Sequence, residues 1–237
     1  GGRVQRLRSP EFKETLSARD LGASADPEAA SEEAGATIGK ELRSLGFNVD
    51  FAPCVDVDSN PANPVIGDRS FGRDPSLVGR CGAAFVRGLQ AHGVAACLKH
   101  WPGHGDTDVD SHLARPLVGH TLERLRSVEF PPFAAGFRAG AASAMVAHVA
   151  VPALCSSVDE GEEGLPASLC AGAVGALRGA EGACGARVVF SDDMEMGGVS
   201  GISIGEASVR GLNAGLDAVL ICHSEALQRE AIAAIED

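Results

Sequence analysis

The sequence has 237 residues, of which 45% are hydrophobic and 22% charged, a balance typical of a folded globular chain and not of a disordered one. Its formal net charge of −12 comes without any run of Lys and Arg, which argues against nucleic acid and anionic membrane surfaces as partners. No apolar stretch approaches the roughly 20 residues that span a bilayer.

Five short apolar runs predict β-strands, and reactive polar side chains stand at or near the end of each run. Most runs are continuous in their hydrophobicity, which is typical of parallel strands covered on both faces. Among the polar residues at their ends are Lys99, His100, Asp192, Asp193 and His223. The runs cover residues 47–58, 93–100, 142–149, 186–193 and 216–223.

The stretches between these runs carry helix signals. Two of them, residues 26–46 and 74–93, begin with Asp-Pro and stop at Gly. Alternating strands and helices predict an α/β fold with a parallel sheet. We predict a TIM-type (β/α) barrel, because the reactive groups fall at the carboxyl ends of several strands. A doubly wound open sheet is less favoured, since neither GxGxxG nor a Walker motif occurs.

The seven cysteines are scattered, odd in number and without a CxxC pair. Several lie in apolar stretches, among them Cys97 and Cys222. We therefore expect reduced, mostly buried thiols and a reducing compartment.

The segment KHWPGHGDTDVDSH, residues 99–112, concentrates three histidines, three aspartates and the single tryptophan of the chain. Calcium is disfavoured as its ligand. Ser111 stands where an EF-hand loop needs glycine, and Leu117 where it needs the closing glutamate.

A zinc site is the second alternative for this segment. Pro102 and Gly103 separate His100 from His104, so these histidines do not share a helical face as in HExxH. A loop-built zinc site from His100, His104 and His112 stays open.

Acid–base chemistry is the third alternative. Asp110 and His112 are two positions apart, so in an extended loop their side chains point the same way. A carboxylate beside an imidazole raises the imidazole pKa and fixes its tautomer, which makes a proton donor. A solvated loop in which Asp110 only caps a turn stays open as well.

Asp192 and Asp193 favour the catalytic interpretation. Two adjacent acids at the end of a buried strand are costly unless one of them is used or paired. A carboxylate there, facing a proton donor on a distant strand-end loop, suits a retaining glycosidase. In such an enzyme the carboxylate attacks the sugar while the donor protonates the leaving group.

Seven motifs of the chain, spread over nearly its whole length, resemble those of the bacterial β-N-acetylhexosaminidases of glycoside hydrolase family three, in the same order. They are GGRVQR, DFAPCVDVD, IGDRSFGRDP, KHWPGHGDTDVDSH, MVAHV, LPASL and FSDDMEM. The combination of Lys-His-aromatic-Pro-Gly-His-Gly with Asp-Ser-His is highly specific. The resemblance implies that residues 1–237 form one catalytic domain of the family's N-terminal type.

The resemblance also implies roles for individual residues. Asp192 is expected to be the nucleophile, His112 the general acid/base and Asp110 its dyad partner. The substrate-binding residues implied in the same way are Arg6, Arg69, Lys99 and His100.

The family's opening strand ends in Asp-x-Glu before Gly-Gly-Arg-Val-Gln-Arg, whereas this chain begins at the Gly-Gly. The resemblance therefore implies a barrel without its first strand, that is, an N-terminally truncated fragment. Such a fragment is expected to be poorly stable and weakly active on its own.

The implied activity is removal of terminal β-linked N-acetylglucosamine from muropeptides or chito-oligosaccharides, in cytoplasmic peptidoglycan recycling. The partner is thus a carbohydrate, with no nucleic acid, membrane, metal or organic cofactor expected. A phosphorylase or β-glucosidase of the same family and a non-catalytic sugar-binding protein are the alternatives.

Other polar residues of the motifs have structural alternatives. Asp193 is expected to be a structural partner, and His104 to shape its loop. For His148 a hydrogen-bonded barrel position and a ligand role are both open, as are sugar stacking and packing for Trp101.

Overall fold

A computed structural model describes residues 4–8, 10–107, 115–155, 164–179 and 188–237 of the chain. Five parallel strands form one sheet in which each strand pairs with the next along the chain. The sheet curls into a half-barrel, which confirms the predicted (β/α) architecture. The strands are β1 (Val49–Asp50), β2 (Ala95–Trp101), β3 (Ser143–Val146), β4 (Val188–Asp193) and β5 (Ala218–Leu220).

Helices connect the strands, and both predicted Asp-Pro starts are confirmed. Asp26 accepts a hydrogen bond from the N–H of Ala29 at 3.1 Å, and Asp74 accepts from Ser76 at 3.0 Å and Leu77 at 3.2 Å. One further turn, Leu125–Glu129, is π-helical. The described helices are α1 (Ala18–Gly22), α2 (Pro27–Ser44), α3 (Pro75–Gln90), α4 (Leu122–Arg124), α5 (Phe130–Arg138), α6 (Ala171–Arg178), α7 (Ile204–Asn213) and α8 (Glu225–Glu236).

The first predicted strand run, residues 47–58, forms regular strand only at Val49–Asp50. Its middle contains Pro53, which has no N–H to donate to a ladder. Pairing with β2 nevertheless continues past it, because Ala52 O accepts from Cys97 N at 2.8 Å and Lys99 O accepts from Val55 N at 2.8 Å. The segment after β1 is thereby held beside the carboxyl end of β2.

The hydrophobic core lies between the sheet and the helices α2, α3 and α5. Its largest fully buried side chains include Leu89 of α3, Leu98 and Trp101 of β2, and Phe133 of α5. Burying a side chain of this size stabilises a fold by roughly 1.5–3 kcal/mol. No helix among the described residues is long and apolar enough to cross a membrane.

The expectation of reduced thiols is wrong for two cysteines. Cys155 and Cys170 are buried and form a disulfide with their Cα atoms 5.9 Å apart. Folding brings them together, which their separation of 15 residues did not reveal. Of the other described cysteines, Cys81 and Cys97 are buried as expected, Cys54 is half-buried and Cys222 is exposed.

We expect the double variant Cys155→Ser/Cys170→Ser to lose about 3 kcal/mol of unfolding free energy. The disulfide links cysteines that are 15 residues apart in the sequence and thereby restricts the unfolded chain. Urea denaturation measures this loss, with Cys222→Ser, an exposed free thiol, as the control that stays at the parent value. Equal stability of all three proteins, or seven reactive thiols in the unfolded, unreduced chain, would contradict the prediction.

Candidate active site

A buried carboxylate, Asp56, joins the segment after β1 to the segment that ends β2. Its Oδ1 accepts from the backbone N–H of His104 at 2.7 Å and that of His100 at 3.2 Å. Its Oδ2 accepts from His100 Nδ1 at 2.8 Å and from the Cys54 thiol at 3.0 Å. Burial alone would raise the pKa of Asp56, but the two histidines and these donors together hold it far below its ordinary value.

The ring of His100 lies between Asp56 and Arg69. Nδ1 donates to the Asp56 carboxylate, and Nε2 lies 3.4 Å from an Arg69 Nη2, a group that can only donate. The ring is therefore neutral with its proton on Nδ1. Burial lowers the pKa of His100, Arg69 lowers it further, and the opposing effect of Asp56 does not outweigh them.

Two glycines let the segment after Trp101 fold over Asp56 and His100. Gly103 has φ +122°, and a Cβ there would lie 2.7 Å from Glu129 Cγ. A Cβ on Gly105 would lie 1.7 Å from the carbonyl oxygen of Val57, which leaves no room for a side chain. The glycines of the KHWPGHGD motif thus serve close packing against neighbouring segments.

The same segment is held from a second side by Asn63. Its Nδ2 donates to the carbonyl oxygens of His104 and Thr107, both at 2.9 Å. The buried His104 ring in turn contacts Thr107 Oγ1 at 2.7 Å through Nδ1. His104 therefore shapes its loop, as expected.

Trp101 is a packing residue. It is fully buried, stacks on Phe130 with ring centroids 4.4 Å apart, and meets Phe133 edge-on at 5.2 Å. Its indole N–H donates to Ala173 O at 2.9 Å. The structure thus decides for packing over sugar stacking.

Asp192, the last residue but one of β4, is a half-buried carboxylate that interacts electrostatically with the Lys99 ammonium. The N–H of Asp193 donates to its Oδ1 at 3.0 Å. Burial raises the pKa of Asp192, but His100, His148, this N–H and the ammonium of Lys99 together lower it below the ordinary value. Asp192 is therefore an ionised carboxylate at neutral pH.

His148, after β3, is a hydrogen-bonded interior residue. Its Nε2–H donates to the carbonyl oxygen of Asp193 at 3.0 Å, so Nδ1 accepts from Ser168 Oγ at 2.7 Å. Burial lowers the pKa of His148, which keeps the ring neutral. The ring thereby fixes the backbone that carries Asp192.

Three of the predicted substrate-binding residues, Arg6, Arg69 and Lys99, line one cleft of about 800 Å³. Asp50 lies in the same cleft, where burial raises its pKa against the opposing charge of Lys99. Much of the remaining lining is apolar and comes from α1, α2 and β1.

The structure thus brings Lys99, His100, Arg69 and Asp192 into one electrostatically linked group, and Arg6 joins it through the shared cleft. The predicted acid/base pair, Asp110 and His112, lies outside the described residues, and the loop-built zinc site that would need His112 cannot be placed for the same reason.

Two groups among the described residues place three donor atoms within 4.8 Å of one another, as a metal site requires. The first, Cys54, Asp56 and His100, is the buried hydrogen-bonded network described above. The second, Asp193, Glu195 and His223, lies at the ends of β4 and β5.

The sequence patterns did not single out Asp56 or Asn63. Asp56 stands in PCVDVD, a strand end already marked by several aspartates, so the signal was visible but not specific to one of them. Asn63 stands in a loop with no distinguishing pattern, and only tertiary contacts reveal its role.

A parallel (β/α) half-barrel with an ionised carboxylate, a buried Asp–His pair and cations at its carboxyl ends belongs to the class of barrel enzymes whose sites lie at that end of the strands. The chain belongs to glycosyl hydrolase family 3: the model of the glycosyl hydrolase family 3 N terminal domain matches residues 1–237.

Curated relatives of the chain are β-hexosaminidases. That of Stenotrophomonas maltophilia strain R551-3 is 38% identical over 243 residues, which cover 100% of this chain and 68% of that protein. β-Hexosaminidase A of Pseudoalteromonas piscicida is 38% identical over 230 residues, 93% of this chain. The chain spans only 38% of the length of that second relative.

Solved structures give the same family. A glycoside hydrolase family 3 β-N-acetylglucosaminidase from Paenibacillus sp. str. FPU-7 matches 99% of this chain, and 43% of its own, with a TM-score of 0.92 at 42% identity. The β-glucoside phosphorylase BglX matches 95% of this chain, and 40% of its own, with a TM-score of 0.86 at 26% identity.

We expect Asp56→Asn to lose about 3 kcal/mol of unfolding free energy at neutral pH. The variant replaces a buried carboxylate that accepts several hydrogen bonds with an amide whose NH₂ group cannot accept any. The folded pKa of Asp56 lies below that of an unfolded aspartate, so its ionisation stabilises the fold above about pH 4 and this is lost as the pH falls further. The variant should therefore unfold with a weaker pH dependence in acid.

Asp58→Asn is the matched control, two residues along the same segment. Asp58 pairs with Arg19 at 2.6 Å and Arg73 at 3.5 Å and makes no contact with His100 among the described residues. Both variants lose stability, but only Asp56→Asn should change the ¹⁵N shifts of the His100 ring. Unchanged ¹⁵N shifts of the His100 ring in Asp56→Asn would contradict the assignment.

Proposed function

We propose that the protein is a retaining glycoside hydrolase that removes terminal β-linked N-acetylglucosamine from muropeptide or chito-oligosaccharide substrates. The observation that carries the proposal is the Asp192 carboxylate, kept ionised at the carboxyl end of β4 beside Lys99 and His100. The names of the relatives, β-hexosaminidases and a β-N-acetylglucosaminidase, support the sugar.

In the proposed first step, an Asp192 carboxylate oxygen attacks the anomeric carbon and the bond to the leaving-group oxygen breaks. A covalent glycosyl-enzyme forms, which water then hydrolyses with net retention of configuration. A nucleophile must be deprotonated before it attacks. The lowered pKa of Asp192 supplies this state although the side chain is half-buried.

We assign proton transfer to His112, with Asp110 as its partner, on the strength of the Asp-Ser-His motif. The imidazolium protonates the departing oxygen, and the neutral ring then takes a proton from the attacking water. A neutral imidazole carries no negative charge, so it repels an incoming anion less than the carboxylate of other retaining enzymes would.

Arg69, Lys99, His100 and Arg6 are proposed to bind the terminal sugar. Arg69 and Lys99 offer N–H donors to hydroxyl oxygens, and Arg6 faces the same cleft. Asp56 holds the neutral His100 ring in one orientation, so the position of its Nε2 atom is fixed. A fixed binding group orients the anomeric carbon toward Asp192 without loss of side-chain freedom on binding.

Phosphorolysis is the second candidate, because a β-glucoside phosphorylase shares the fold at 26% identity. A neutral acid/base and the cations Arg69 and Lys99 both suit an attacking phosphate. A sugar-binding protein without turnover is the alternative from another class.

The proposed setting is peptidoglycan recycling in the cytoplasm, as the motif resemblance implies. The buried Cys155–Cys170 disulfide weighs against the cytoplasm, since such bonds are typical of oxidising compartments. The count of free thiols in the protein isolated from cells therefore tests the compartment separately from the activity.

The first test measures nitrophenol release from the β-N-acetylglucosaminide and the β-glucoside, with and without phosphate, using the protein that carries this chain. Phosphate-independent release from the N-acetyl sugar alone is expected. Release that requires phosphate would replace the hydrolase with a phosphorylase, and no release from either sugar would leave a binding protein.

Asp192→Ala should lower kcat by about 10⁴-fold while sugar affinity is largely kept, because the variant loses the nucleophile and no group proposed to bind hydroxyls. Asp193→Asn is the matched control on the adjacent carboxylate, and it should keep most of the activity. With a slow fluorinated substrate, mass spectrometry should find the sugar on the peptide containing residue 192. Turnover by Asp192→Ala near the parent rate would contradict the mechanism.

A further inference from the structure

A second cluster of reactive side chains lies at the ends of β4 and β5 and has no part in the proposed hydrolysis. Asp193 is the last residue of β4, Glu195 lies two residues beyond it, and His223 lies three residues after the end of β5. Successive side chains of a strand point to opposite faces, so Asp193 projects away from the face that Asp192 serves. The cluster is therefore separate from the sugar-binding side of the half-barrel.

The donor atoms of the cluster have the spacing of ligands to one small cation. His223 Nδ1 lies 3.1 Å from Asp193 Oδ2 and 3.3 Å from Glu195 Oε2, and all three donors lie within 4.8 Å of one another. A tetrahedral zinc ion bound at about 2.1 Å holds its ligands about 3.4 Å apart. The distances from His223 Nδ1 to the two carboxylate oxygens already match this spacing.

The two carboxylates are held in place by the backbone of both strand ends. Asp193 Oδ1 accepts from the N–H of Glu195 at 3.1 Å and that of Cys222 at 3.3 Å. Glu195 accepts from the N–H groups of His223 at 2.6 Å and Ser224 at 3.0 Å. Outer hydrogen bonds of this kind orient metal ligands before the metal arrives.

We propose that Asp193, Glu195 and His223 form a zinc site that ties the end of β4 to the segment after β5, with the fourth coordination position open to solvent. An imidazole beside two carboxylates favours zinc over calcium or magnesium, which take oxygen ligands. Because a ligand that binds only the folded state stabilises it, zinc raises the melting temperature of the protein.

The other cluster with metal-ligand spacing does not compete in the same way. In that cluster Asp56 and His100 are buried, His100 Nδ1 already donates to Asp56, and the other ring nitrogen of His100 faces the Arg69 cation. By contrast, the side chain of His223 is 77% exposed, so an ion reaches it from solvent.

The test is calorimetric titration of chelator-treated, anaerobic protein with zinc chloride, and with calcium chloride in parallel. We expect one zinc per chain and no comparable binding of calcium. His223→Asn and Glu195→Gln should each weaken zinc binding at least tenfold, whereas His92→Asn, which changes an exposed histidine outside the cluster, should bind as the parent does. Melting curves without zinc check that each variant is folded.

Cobalt substitution tests the ligand set. The Co²⁺ protein should show visible d–d bands of four-coordinate cobalt, which His223→Asn should remove and Cys222→Ser should leave in place. Absence of these bands from the parent protein would overturn the proposed coordination. Absence of saturable zinc binding, or equal binding by the parent, His223→Asn and Glu195→Gln proteins, would overturn the site, and neither result depends on hydrolase activity.

Discussion

The site depends on one buried carboxylate. Asp56 is 1% exposed and accepts hydrogen bonds from the backbone or ring of both His100 and His104, so it joins the segment after β1 to the end of β2. A buried charge is stable only when donors surround it, and here most of those donors belong to the motif that carries Lys99 and His100, two of the proposed substrate-binding residues. The orientation of His100, and with it the position of Lys99, follows from this constraint.

Adjacent acids on β4 serve different faces of the sheet. Asp192 faces the cations and stays ionised, whereas Asp193 bonds to the backbone of the next strand end. Because successive side chains of a strand point to opposite faces of the sheet, each acid has its own environment. His148 fixes the backbone that carries both acids, since its neutral ring donates to the carbonyl oxygen of Asp193.

Membership of glycosyl hydrolase family 3 explains why so many landmarks fall at strand ends. In barrel folds, packing of strands and helices fixes the scaffold while the carboxyl-end segments carry the chemistry. A single motif of this chain contains both kinds of residue. Trp101 packs in the core against Phe130, whereas its neighbours in sequence, Lys99 and His100, belong to the candidate site.

Local patterns in the sequence determined much of this protein. Apolar runs predicted the strands, and Asp-Pro starts predicted α2 and α3 correctly, because capping and periodicity act over a few neighbouring residues. The family motifs pointed to the strand-end site. Tertiary structure alone revealed the role of Asp56, the hold of Asn63 on the loop, the Cys155–Cys170 bond and the cluster of Asp193, Glu195 and His223. Each of these depends on atoms that are 15 or more residues apart in the chain, and only the tertiary fold brings such atoms within bonding distance.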